Sequence, residues 1–544
     1  MKKSVWWVFL VLWYFCVVSC GSVPTKEGEA LFNQAPIVWS VDDQKNIEEP
    51  EETEFWLADY FDLFVTRSMT RTLELRTDQP ALDTNALDEV PNSSWFTNRI
   101  GVRKLTSREM ARGSNENGPP ELPLVVTKGK VLGGNPGFFV KDRRGKLFII
   151  KFDTKRNPEQ ETATSVIVNR IFWALGYNVP SDTVFHFCRK DISVSEKATQ
   201  KNKLNEKIKM TDENLDNILK QSPELKPGCY RASASEFLDG VPKGGFSAEG
   251  TRPDDPNDQI PHEHRRVLRA LQVFSAWTGH TDIKTENTLD MYVNEGGRKY
   301  LKHYLVDFGE ALGAHASEKE RYEDGWEHLF DWDKQLLYFL SFGLWKRPWE
   351  DRKDTKWKSI GPFVSKPFDP EAWKEVYPFW PLHEATDEDL YWATKLIMRF
   401  NRADLQAIVK EGQLSNPEAS EYLVETLLKR RDAIAKAFLY KVSPLDYFRM
   451  KEGRICAVDL GQAAGLSEKS TLQRMDSEGK KVEAEFPTAK EGDLCFPLLK
   501  KMGYAKDRLR IVVDAPVQRF LPLLELHYVN RERPKILGLI RKLP

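Results

Sequence analysis

The stretch His280-Thr281-Asp282-Ile283-Lys284-Thr285-Glu286-Asn287 runs into Thr288-Leu289-Asp290-Met291-Tyr292-Val293. It turns at Asn294-Glu295-Gly296-Gly297 and ends at Tyr304-Leu305-Val306-Asp307-Phe308-Gly309. A polar loop therefore precedes a short hairpin that closes on Asp-Phe-Gly. Phosphoryl transfer needs a carboxylate to orient or deprotonate the attacking hydroxyl, and oxygen ligands to hold a divalent cation against phosphates. Asp282, Asn287 and Asp307 supply these groups. Asp-Phe-Gly alone recurs by chance, whereas this octapeptide with a downstream hairpin and Asp-Phe-Gly is far more specific. The competing reading is a polar loop beside a buried strand.

Upstream, residues 124–130, 138–141 and 146–152 read as three strands. They are divided by Val131-Leu132-Gly133-Gly134-Asn135-Pro136-Gly137 and by the turn Asp142-Arg143-Arg144-Gly145. Alternation puts Leu147, Ile149 and Lys151 on one face and Phe148, Ile150 and Phe152 on the other. A lysine in an otherwise apolar strand seeks an anionic partner. Gly133, Gly134 and Gly137 would let backbone N–H groups approach phosphates closely, although a glycine turn taken alone is an ordinary loop. Asn157 and Pro158 suit the start of a helix over 163–175. Its apolar stripe of Val168, Ile171, Phe172 and Leu175 extends backwards to Ser165 and Glu161. Glu161 is therefore the expected partner of Lys151, with Glu159 as competitor. The helix dipole alone would also recruit acids there.

Strand, glycine turn, strand, strand with lysine, helix, polar loop and Asp-Phe-Gly together resemble the protein-kinase-like superfamily. Its pattern is H-x-D-x-K-x-x-N followed by D-F-G. The resemblance covers residues 122–313. It implies an α+β, two-lobed fold with a β-rich N-lobe and a large helical C-lobe, and ATP and Mg²⁺ as cofactors. Lys151 would hold the α- and β-phosphates, with Glu161 positioning it. Asp282 would be the catalytic base, Lys284 would neutralise charge on the transferred group, and Asn287 and Asp307 would bind Mg²⁺. Two departures stand out. Thr281 occupies the place where many protein kinases have Arg, and no A-P-E follows Gly309. The Asp-Phe-Gly-x-x-Leu-Gly ending is more similar to phosphatidylinositol kinases and other atypical kinases. The acceptor would be a protein, a glycan or a lipid.

A net charge of −1 over 544 residues gives no sign of nucleic-acid binding. Lys2 and Lys3 precede an apolar run over 5–18, too short for a comfortable membrane span. Val17-Val18-Ser19-Cys20-Gly21 resembles a bacterial lipobox, in which Cys20 is lipidated. The expectation is an exported protein anchored to the cell envelope, and Gly21 favours the outer membrane. A plain signal peptide is the alternative. An exported compartment permits disulfides. Cys188, Cys229, Cys456 and Cys495 allow three connectivities, of which Cys188–Cys229 and Cys456–Cys495 is the local one. No C-x-x-C pair, no H-E-x-x-H or paired-histidine site and no G-x-S-x-G elbow is visible.

The chain divides into a signal peptide (1–19), a tether (20–54) and an N-terminal extension packed on the N-lobe (55–121). The N-lobe (122–245) carries a basic surface insertion at 190–225. The helical C-lobe (246–450) and an appended element with strands over 508–514 and 523–529 (451–544) complete it. Within the extension, 55–72 reads as an amphipathic helix. The polar segment 87–99, around Trp95 and Phe96, resembles a segment of exported bacterial proteins of unknown role and reads as a structural cap on the N-lobe. Thr386-x-x-Asp389 and Ser415-x-x-Glu418 read as capping boxes. Three functions fit: a membrane-anchored atypical kinase, a catalytically inactive kinase-like scaffold, and a nucleotidyl transferase on the same fold. Lys151, Asp282, Asn287 and Asp307 together favour the first over the second, since a scaffold needs none of them. The lack of a sustained ATP pool outside the cytoplasmic membrane weighs the other way.

Overall fold

The computed structural model describes residues 37–541 apart from 55–56, 74–78, 131–135, 202–205, 316–320, 468, 477–479, 482–484, 490–491, 500–501 and 515–518. Period-two patterning builds the first lobe. Strands β1 (Leu124–Gly129), β2 (Gly137–Lys141) and β3 (Leu147–Lys151) pair antiparallel in sequence order. Phe148, Ile150 and Phe152 are buried, while Leu147 on the opposite face is exposed. The alternation holds, and it carries Lys151 away from the apolar core.

Helix α1 (Gln160–Leu175) follows and is buried along nearly its whole length. Asn157 does not cap it. Asp153 does that work, accepting hydrogen bonds from Thr162 N at 2.9 Å and Oγ1 at 2.7 Å. Beyond α1, β4 (Asp182–Cys188) pairs with β8 (Cys229–Glu236), and β8 pairs with β3. The segment expected as a surface insertion is woven into the same sheet. There β5 (Ile192–Lys201) runs parallel to β1, β6 (Lys207–Lys209) pairs with β5, and β7 (Glu224–Lys226) pairs with β8. Helix α2 (Asp212–Leu219) adds Leu215 and Leu219 to the sheet core. Cys188 and Cys229 face each other across β4 and β8 and are bridged, as are Cys456 and Cys495 further on. Both pairings are the local ones.

The second lobe is helical. Residues 261–278 form a broken run ending in α3 (Leu271–Thr278). Helices α4 (Asp387–Ile397), α5 (Arg402–Glu411) and α6 (Pro417–Phe438) pack with α1 and α3 around Ile171, Phe172, Trp277, Phe308 and Trp392. The Thr386 capping box forms. The Ser415 box does not: Asn416 caps α6, and Ser415 donates through N and Oγ to Glu159 at the entrance to α1. Between Leu340 and Trp380 the chain is irregular save for the turn Pro348–Asp351, where mainly helix was expected. The helix Trp332–Leu340 and the turn after it leave Phe339, Phe342 and Leu344 exposed, at 77%, 92% and 87%. Among the described residues no helix is long and apolar enough to cross a membrane.

The N-terminal regions differ from expectation. Residues 37–54 form an extended strap held by backbone bonds of Val41 to Asn92, Ile47 to Lys299 and Thr53 to Lys243, at 2.9–3.0 Å. Residues 87–99 pack on the N-lobe helix α1 and reach the helical lobe as well, with Thr97 N bonded to Gly176 O and Arg99 to the carbonyls of Trp173 and Tyr177. Val90, Trp95 and Phe96 join the core of α1 and the helical lobe, where Trp95 stacks on His303 at 3.6 Å. Asp88 and Glu89 anchor a buried ionic network. Asp88 Oδ1 accepts from Arg266 at 2.5 Å, and Asp88 Oδ2 from Arg541 at 3.0 Å. Glu89 pairs with Lys395, and Arg266 also reaches Asp389 at 2.8 Å. Arg541 closes a six-stranded sheet that includes Lys469–Met475, Gly503–Asp514 and Leu524–Asn530. It donates to the carbonyls of Ser443 and Leu445 and to Asp446 Oδ2, at 2.6, 2.9 and 2.8 Å. The C-terminal element is therefore bolted to the extension and to α4.

Candidate active site

One hairpin sets the site. After β9 (Val241–Pro242), strands β10 (Thr288–Glu295) and β11 (Arg298–Leu305) pair in register from Thr288–Leu305 to Glu295–Arg298. The polar loop enters at one open end and Asp-Phe-Gly leaves beside it, with Val306 N donating to Asn287 O at 3.0 Å. Phe308 is buried against Phe172 of α1, at 5.1 Å between ring centroids. Asp307 adopts φ 61°, a left-handed conformation that non-glycine residues hold only when their surroundings enforce it. In that conformation its carboxylate meets Lys151, Nζ to Oδ1, at 2.7 Å. Burial pushes the Asp307 carboxyl up, but the Lys151 ammonium, with Lys130 behind it, outweighs this and holds it at about 2.

Lys151 thus pairs with Asp307 and not with Glu161, its expected partner. The two acids share one cluster. Glu161 Oε2 lies 3.7 Å from where a Cβ on Gly309 would stand, and Asp307 Oδ1 lies 3.6 Å from it. Glu161 Oε1 is buried without a hydrogen-bond partner. Burial, then Asp153, Glu310 and Asp307, push the Glu161 carboxyl well above its ordinary range. Asp182 on β4 is raised to about 6 by burial, and Lys151 acts against that shift.

The loop forms a second group. Asp282 is 8% exposed. Its Oδ1 accepts from Lys284 Nζ at 2.7 Å, and its Oδ2 and backbone carbonyl accept from Asn287 Nδ2 at 2.7 and 2.8 Å. A carboxylate offers about four lone-pair sites, so Asp282 retains acceptor capacity for an incoming hydroxyl. Burial lowers the Lys284 pKa, and the adjacent Asp282 more than restores it. Lys284 Nζ also sits 4.6 Å from the Tyr377 ring centroid. The helical segment Leu57–Leu73 crosses here, with Tyr60 donating to Glu286. A cavity of about 560 Å³ opens beside Lys284, lined among others by Asp59, Tyr60, Glu249, Glu286 and Tyr377.

Gly133, Gly134 and Cys20 lie outside the described residues. Gly137 is explained by packing: a Cβ there would stand 2.3 Å from the Ile150 carbonyl oxygen across the sheet. Gly137→Ala is expected to force β2 off β3 and to destabilise the lobe by about 1–3 kcal/mol. Thermal unfolding checks this, and an unchanged Tm would mean that the strands part without cost. Lys130, Asp153, Glu310 and Tyr377 also face these groups, though no motif singles them out. Lys130 and Glu310 carried a usable signal, since one flanks the glycine turn and the other follows Gly309 directly. Tyr377 carried none.

The architecture is thus α+β and two-lobed, with a sheet bearing Lys151, a buried helix bearing Glu161, and Asp-Phe-Gly at a hairpin end: a kinase-like fold. No protein-family model and no curated protein matches the chain. Two solved structures, of the Golgi casein kinase and of the Golgi casein kinase with Mn/ADP bound, are similar to it at 11% and 12% identity. Each covers 74% of this chain, with 95% and 94% of its own length, and each has a TM-score of 0.31. Likeness at that level bears no weight on function.

Proposed function

We propose that the protein is a membrane-anchored atypical kinase that transfers the γ-phosphoryl group of ATP to a hydroxyl of a protein, glycan or lipid. The observation that carries this reading is that two polar groups flank the open end of one hairpin, the Lys151–Asp307 pair with the unpartnered Glu161 oxygen and the Asp282–Lys284–Asn287 set, joined by the bond from Val306 N to Asn287 O. Asp153, Glu310 and Asp307 all add negative charge around Glu161, Lys151 opposes them, and Lys130 faces Asp307 and Glu161. That surplus, with a buried carboxylate oxygen lacking a donor, fits a hard divalent cation such as Mg²⁺. Asp307, Asn287 and Glu161 would hold it, and it would neutralise charge on the phosphate oxygens.

Lys151 and Lys130 bind phosphate oxygens. Asp282 orients the acceptor hydroxyl and takes its proton as the oxygen bonds to the γ-phosphorus and ADP departs. Lys284 offsets the charge that builds on the moving group. The membrane side of the reading rests on Cys20 and on the exposed ridge of Phe339, Phe342 and Leu344. An exposed apolar ridge is a surface that interfacial lipid contact would cover.

The test is transfer from ATP labelled at the γ- or at the α-phosphorus, with envelope proteins, glycans and lipids as acceptors. Label from the γ-position alone, dependent on Mg²⁺ or Mn²⁺, is expected. Label from the α-position would instead establish nucleotidyl transfer. No nucleotide binding with any divalent ion would leave only a scaffold.

A further inference from the structure

Away from the cleft, three side chains from separate parts of the C-lobe converge. His328, Glu375 and His383 each offer a ligand atom, and these atoms lie within 4.8 Å of one another. His328 Nδ1 lies 2.9 Å from the Glu375 backbone carbonyl, and a carbonyl only accepts. That bond places the proton on Nδ1 and leaves the Nε2 lone pair as the ligating atom, the second-sphere arrangement that orients metal-binding imidazoles. Glu375 is buried at 1% exposure. Its Oε1 accepts from Phe379 N at 2.8 Å and lies 2.8 Å from His383 Nε2.

We propose that His328, Glu375 and His383 form a zinc site, with water as the fourth ligand. Two imidazoles and one carboxylate make a nitrogen-rich set that suits Zn²⁺ and not Mg²⁺ or Ca²⁺, which take oxygen ligands. Tetrahedral zinc with bonds of about 2.0–2.2 Å sets its ligand atoms roughly 3.4 Å apart, so rotamer adjustment within the cluster seats the ion. Binding displaces the hydrogen between His383 Nε2 and Glu375 and releases it to solvent, because the ligating nitrogen must be bare.

The site would act as a clamp behind the catalytic loop. Leu329 N donates to Val376 O at 2.7 Å, and Val376 N donates to Thr281 O at 2.8 Å. The Glu375 segment therefore links His328 on one side to the residue before Asp282 on the other. It also presents Tyr377 to Lys284. Zinc would fix this segment without touching substrate, which makes the three ligands positioning residues. No spacing rule revealed them: His328 and Glu375 stand far apart in the chain, and the sequence showed no paired-histidine motif.

The experiment uses the full chain without a histidine tag, stripped with a chelator and titrated with zinc against a chromophoric competitor. One equivalent bound tightly is expected, as is a tetrahedral visible spectrum when Co²⁺ replaces zinc. His328→Gln and His383→Asn should each weaken zinc at least about 10-fold to 100-fold. Asp307→Asn should leave zinc unchanged, which separates this site from the cation seat in the cleft. Mg²⁺ should not compete at millimolar concentration. Loss of stoichiometric zinc and of the cobalt spectrum in the wild-type chain would overturn the proposal and reduce the cluster to a hydrogen-bonded ionic triad. So would zinc binding that survives both histidine substitutions.

Discussion

Asp307→Asn is expected to weaken metal-dependent nucleotide binding on the order of 10²-fold to 10³-fold while leaving the fold intact. The side chain keeps its size, and Phe308 stays in the core between α1 and the loop. What changes is charge. Lys151 loses the carboxylate that it meets at 2.7 Å, and the acid cluster loses its most strongly ionised member. Binding of ADP measured without divalent ions should hold steady or strengthen, because Lys151 is no longer engaged. The pair of signs is diagnostic: a general structural defect would weaken both. Calorimetry with and without Mg²⁺ reads them separately, and equal affinity of variant and wild type in Mg²⁺ would remove Asp307 from the metal seat. Asp282→Asn makes the contrast. It should keep nucleotide affinity and lower transfer by roughly 10²-fold to 10⁴-fold, the range of a lost general base.

Arg541→Ala is expected to cost about 3–5 kcal/mol of stability, the penalty for breaking a buried charge network by removing one partner. The guanidinium satisfies two backbone carbonyls and two carboxylates at once. Without it, Asp446 retains Lys395 and Tyr391, but among the described residues Asp88 keeps only Arg266 as a side-chain partner. The carbonyls of Ser443 and Leu445 lose this donor. Arg541→Lys should recover little, since a point ammonium cannot reproduce the planar fork. Urea unfolding measures the loss. A variant within about 0.5 kcal/mol of wild type, the scale of a surface substitution, would mean that the network rearranges around the gap.

Local signals in the sequence proved legible. Alternation located β3 and the face of Lys151, and the octapeptide with Asp-Phe-Gly located the hairpin and the groups that meet there. Sequence proximity gave both disulfides. Legibility failed where a residue's partner lies far along the chain. Helical stepping pointed Lys151 to Glu161, but the left-handed turn at Asp307 brings a carboxylate from far along the chain to the lysine. Ser415 had the spacing of a capping residue and was drawn away by Glu159. Residues 37–54 have the composition of a tether, yet their backbone bonds go to Asn92, Lys243 and Lys299, none of which composition can name. Gly137 looked like part of a phosphate cradle and is instead needed for the approach of the Ile150 carbonyl.

The contact between Asp88 and Arg541 spans 453 residues. Chain closure over that distance comes late, because its entropic cost must be met before the contact returns anything. Until the strand Lys535–Arg541 docks, Asp88 and Asp446 lack the guanidinium that joins them. Removing Lys535–Arg541 would therefore register first as a defect near residue 88.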